Sequence, residues 1–120
     1  MANGKIKADT LEHSTAGSVT TDYVVNGSAK VWVNFNGTGT IAARDSLNVS
    51  GLVDNSTGNY TVNISDAFTA ATFSVAMGGN SFHTASLAAT SGTFTCFKYN
   101  SSHSAEDASD CYFNAHGDLA

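Results

Sequence analysis

The residues best able to do chemistry gather near the C-terminal end of the chain. His103, Glu106, Asp107, Asp110 and Cys111 lie close together, and each of these side-chain types can ligate a metal. Their spacing fits neither a calcium-binding loop nor a structural zinc site. The pattern reads as a solvated acidic loop, with no cofactor and no metal expected. Only a symmetry axis, multiplying one His or Asp, would make it a ligand set. The histidines His13, His83, His103 and His116 fall in four separate segments. The chain contains no G-x-S-x-G elbow, phosphate-binding glycine loop or H-E-x-x-H run. No enzyme is expected. A polysaccharide hydrolase needs a carboxylate pair in a groove, and the ten acids here lie mostly in loops.

Cys96 and Cys111 are the other reactive pair. If the strands on either side of the polar stretch between them form a hairpin, Cys96 faces Cys111, Phe94 faces Phe113 and Lys98 faces Ser109. Two thiols so placed could form a disulfide. Such a bridge would stabilise the fold by about 3 kcal/mol in the chain-entropy model. A cytoplasmic origin points instead to two reduced, half-buried thiols. The residues alone leave both outcomes open.

The elements that must position these groups read as strands. Val31, Val33 and Phe35 share one face, opposite Lys30, Trp32 and Asn34. Tyr60, Val62 and Ile64 share another, and Phe73, Val75 and Met77 a third. Thr93 to Tyr99 and Cys111 to His116 read as two more strands. Proline is absent, so turns fall to Asn26-Gly27, Asn36-Gly37 and the run Asp54 to Asn59. No convincing amphipathic helix is found, and Asp66 to Ala71 reads as a bend. The N-x-[ST] triplets at Asn26, Asn36, Asn48, Asn55, Asn59, Asn63 and Asn100 reflect composition. The predicted fold is all-β, an antiparallel sandwich-like domain over residues 29–120. It is preceded by an arm, residues 1–28, that is either frayed or pairs with another chain.

At 120 residues the chain is sized for one domain and can bury about two thirds of its unfolded surface. Its net charge is −5, with only Lys5, Lys7, Lys30, Arg44 and Lys98 as cations. Nucleic acid and anionic membranes are therefore not expected partners. No apolar run approaches the roughly 20 residues of a membrane span. The N-terminal stretch has lysines but no apolar segment after them, so assembly in the cytoplasm is expected. Trp32 marks either an interface or a strand buried on both sides. Ile6, in the arm, is the second interface candidate. The loop Asn100, Ser101, Ser102, His103, Glu106, Asp107 and Asp110 is the candidate binding surface.

The run Ala29 to Ser65, AKVWVNFNGTGTIAARDSLNVSGLVDNSTGNYTVNIS, resembles a domain of tail-fibre and related virion proteins of tailed bacteriophages, notably marine ones. The lead-in GKIKADTLEH and the closing His116-Gly117-Asp118 are similar to that group as well. The resemblance implies a homotrimeric β-structure in the virion, with contacts to other tail or capsid proteins and a role in host adsorption through a receptor such as a cell-surface glycan. The alternative is a head decoration protein that stabilises the capsid. The length favours a tip, adaptor or capsid-surface protein over a whole fibre.

Overall fold

The computed structural model describes residues 4–80 and 87–119. Ten strands and one helix follow in chain order. They are β1 (Thr10–His13), β2 (Gly17–Thr20), α1 (Thr21–Gly27), β3 (Val31–Asn36), β4 (Ala42–Leu47) and β5 (Val49–Ser56). Then come β6 (Asn59–Ile64), β7 (Ser74–Gly79), β8 (Leu87–Thr90), β9 (Thr93–Phe97) and β10 (Cys111–His116). The body consists of two four-stranded antiparallel sheets, ordered β4-β3-β10-β7 and β5-β6-β9-β8. This is the all-β, sandwich-like architecture expected.

Alternation in the sequence becomes burial in the fold. Val31, Val33 and Phe35 of β3 point inward with Phe113 and Ala115 of β10. Tyr60, Val62 and Ile64 of β6 meet them from the other sheet, with Phe94 and Cys96 of β9. The rings of Phe35 and Tyr60 meet edge to face at 5.4 Å, and those of Phe94 and Phe113 at 5.6 Å. Such contacts add to the gain from removing apolar surface from water.

Chain crossings between sheets place the loops. At Asn48, with φ 58°, the chain leaves β4 and enters β5 in the facing sheet. Asn residues tolerate this left-handed conformation better than most. The Asn48 side chain then holds the bend, accepting from the Asp66 N–H at 2.7 Å and donating to the Asp66 carbonyl at 3.0 Å. Residues 65–73 contain bends and no helix, as expected of Asp66 to Ala71.

Three expectations are corrected. Strands β9 and β10 do not form a hairpin. β9 lies between β6 and β8, and β10 lies between β3 and β7. Each strand has an apolar face (Phe94 and Cys96; Cys111, Phe113 and Ala115). Facing each other across the core buries both sides, whereas side-by-side pairing would leave them on one sheet surface. Phe94 and Phe113 do meet, but across the core, and Lys98 does not face Ser109. Cys96 and Cys111 are not cross-strand neighbours; both are buried free thiols.

A helix also stands where none was found, and Asn26-Gly27 ends it instead of turning a hairpin. Asp22 in its first turn favours the helix dipole, and Asn26 donates to Asp22 at 2.6 Å, one turn on. Thr21 ties the helix to the preceding chain through the Asp9 carbonyl at 2.9 Å and the Ala8 carbonyl at 2.6 Å. β1 and β2 pair with each other, their turn held by His13 Nδ1, which accepts from the Ala16 N–H at 3.1 Å.

Candidate functional site

The N-terminal unit joins one end of the body, where the Lys30 N–H donates to the Ala115 carbonyl at 2.8 Å. The loop from Lys98 to Asp110 lies at the opposite end, where β9 runs out and β10 begins. The turns after β3 and β5 meet it there.

Tyr60 organises this end. Its ring is fully buried among apolar side chains, so its hydroxyl must find partners inside the fold. That oxygen lies 3.1 Å from both the Gly37 carbonyl and Asp107 Oδ1, and accepts from the Ala108 N–H at 3.1 Å. Burial raises the Tyr60 pKa well beyond the ordinary range, the nearby Asp107 charge adding to the effect. Gly37 is glycine for contact reasons, because a Cβ there would sit 2.5 Å from the Tyr60 ring. Asp107 also accepts from the Gly58 N–H at 2.7 Å. One phenol and one carboxylate thus join three loops.

The loop has a second anchor. Lys98 keeps the inward parity of Phe94 and Cys96, and is only 2% exposed. A buried ammonium needs a counter-charge, and Glu106 supplies it at 2.8 Å. A third anchor is Arg44, the extra residue of a bulge in β4 opposite Asn34 and Phe35. Its guanidinium reaches Asp110 at 3.1 Å and the Ser109 carbonyl at 2.7 Å. Asn80 pins the same point, exchanging hydrogen bonds with the Asp110 backbone at 3.2 Å.

The tip is built by Asn100. Its side-chain oxygen accepts from the N–H groups of Ser102 and Ser104 at 2.9 and 3.1 Å, an Asx-type arrangement. His103, with φ 59°, reverses the chain, and Tyr99 bridges Ala105. Residues 101–106 are exposed, while Asp107 and Asp110 are half-buried.

Of the seven loop residues singled out from sequence, Asn100, Glu106, Asp107 and Asp110 hold the loop together. Ser101, Ser102 and His103 form the surface it presents. The arrangement offers hydroxyls, one imidazole and backbone polar groups on a braced projection, which suits hydrogen bonding to a polar ligand. Among the described residues, no three His, Cys, Asp or Glu side chains gather as a metal-ligand set; His83 lies outside them. No described helix is long and apolar enough to cross a membrane.

Tyr60, Lys98, Arg44, Gly37 and Gly58 are the functional supports that sequence reasoning did not single out. Parity carried a signal for two of them. A Tyr and a Lys on core-facing positions each demand a polar partner, and the acidic loop is where partners were available. Trp32 sits on the outer face of β3, half-buried between its cross-strand neighbours Leu47 and Asn114. Ile6 is 93% exposed.

The buried thiols define a direct test. Burial pushes both Cys96 and Cys111 up to about 12, each aided by a neighbouring negative charge, that of Cys111 on Cys96 and that of Asp110 on Cys111. An ordinary thiol ionises near 9.0, so the unfolded chain loses these protons first as pH rises. Their contribution to stability is full below about pH 9 and is lost on going toward 12. Urea midpoints should fall over that window. Iodoacetamide at pH 8 should leave the native protein unlabelled and modify both thiols once it is unfolded. Unfolded, unreduced chain that takes up no label has the two joined.

Comparison with protein-family models, curated proteins and solved structures finds no match to this chain.

Proposed function

We propose that this chain is a non-catalytic display protein of a tailed-bacteriophage particle, attached through its N-terminal unit and presenting the 100–110 loop for host adsorption. The observation that carries this reading is polarity. The segment with the least internal packing enters at one end of the body, and the most heavily braced projection leaves from the other. A molecule that must be held and must present needs both. The resemblance over Ala29 to Ser65 supplies the phage context.

The ligand suited to Ser101, Ser102 and His103 is a polar one, a cell-surface glycan. Carboxylates that hold the loop are not free to bind it. The test is saturable binding of the pure protein to host cells and to a glycan array. Replacing Ser101, Ser102 and His103 by alanine should lower binding at least tenfold with unchanged thermal unfolding, since all three are exposed. Binding unaltered by that triple change would overturn the assignment of the tip. Equivalent loss from Asp107→Asn alone, with a lower unfolding temperature, would show only that the braces matter.

A further inference from the structure

Six of the ten large hydrophobic side chains that stand exposed lie in the N-terminal unit: Ile6, Leu11, Val19, Tyr23, Val24 and Val25. Ile6 is 93%, Tyr23 72% and Val25 60% exposed. Helix α1 buries none of its residues, and β1 and β2 pair only with each other. A two-stranded hairpin is marginal in water, as is a helix of two turns. Between them runs a cleft of about 560 Å³, walled by Ile6, Ala8, Leu11, Thr21, Val24 and Val25. Soluble single chains rarely leave a contiguous apolar surface of this kind uncovered.

We infer that this cleft is a self-association surface, on which the N-terminal unit of a second copy of this chain packs. Two observations select this occupant. The first is area. At their exposures the six side chains offer roughly 600–700 Å², close to the about 800 Å² each partner gives a standard interface. The second is charge. Lys5 and Lys7 stand against Asp9, Glu12 and Asp22, so the unit carries −1 and the body the other −4 of the chain's −5. Two units can meet with alternating signs at their rims. The bodies, which repel, are held apart with their loop ends outward. An anionic lipid surface fits less well, because it draws on a positive excess that the unit lacks. Several weak tips carried on one assembly would gain avidity.

The experiment is sedimentation velocity on the full chain over about a hundredfold range of concentration, since self-association follows mass action. Wild type should run at a multiple of the 12.4 kDa chain and dissociate on dilution. The double change Ile6→Glu and Val25→Glu should run as the single chain throughout. The control Val53→Glu, at an exposed hydrophobic of the body, should associate like wild type. Hydrogen exchange on wild type gives a second readout. Amides in the N-terminal unit should be slow at high concentration and fast when dilute. A wild type that is monomeric throughout overturns the inference, as does a double variant that associates like wild type. So does a monomer whose cleft becomes protected only on binding particles, which would assign it to another protein. The inference does not rest on the phage reading. Self-association without any particle label would leave it standing and remove that reading.

Discussion

Replacing Gly58 with alanine is expected to destabilise the protein by about 4 kcal/mol, the sum of three costs. Gly58 has φ 66°, and an L side chain in that region costs about 1–2 kcal/mol. Its Cβ would lie 2.5 Å from the Lys98 carbonyl oxygen, and 2.8 and 2.9 Å from the backbone O and N of Glu106. These are backbone atoms that cannot rotate away, so the loop must move, at an overpacking cost of about 1–3 kcal/mol. Movement also strains the Asp107 bond to the Gly58 N–H and the Lys98 N–H bond to the Gly58 carbonyl, each worth about 1 kcal/mol. Urea unfolding monitored at Trp32 measures the change. A loss below about 1 kcal/mol would mean that the turn does not seat the loop as described.

The second large effect concerns Lys98. Glu106→Ala is expected to cost about 3 kcal/mol, because it leaves an enclosed ammonium without its counter-charge. The cost sits at the low end for buried pairs, since the Glu106 side chain is 50% exposed and water can reach the gap. Lys98→Met removes the charge and keeps an unbranched stem, so stability should stay within about 1 kcal/mol of wild type or rise. On the Lys98→Met background, Glu106→Ala should cost almost nothing. That non-additivity is the signature of a coupled pair. Equal costs on both backgrounds would show that Glu106 acts without Lys98.

Much of the body was legible because its inner faces are simple. Val31, Val33 and Phe35, and Tyr60, Val62 and Ile64, alternate cleanly and are buried as read. β10 begins and ends where the apolar alternation does. The turn at Thr57-Gly58 links β5 and β6 within the predicted run. Harder to read were elements whose partners lie far away in sequence. β4 is exposed at every residue, so its existence depends on pairing with β3 and leaves no alternation. Helix α1 holds two adjacent valines and no buried face, so no helical stripe announces it. The partnering of β9 and β10 with different sheets could not be seen from either strand alone. The two apolar faces are equally compatible with a hairpin, and core burial decides between them. In the loop, residue types suggested a solvated acidic surface. The structure commits three of its carboxylates to Lys98, Tyr60 and Arg44, partners that only the folded chain brings near.

The central claim, attachment at the N-terminal unit and presentation at the far end on a phage particle, is tested most directly by immunogold electron microscopy. Antibody against the 100–110 loop should decorate intact particles at the tail, and antibody against residues 4–28 should not reach its epitope until particles are disrupted. Loop label over the head would replace the adsorption reading with capsid decoration. Particles that carry no label with either antibody, before or after disruption, would contradict the account.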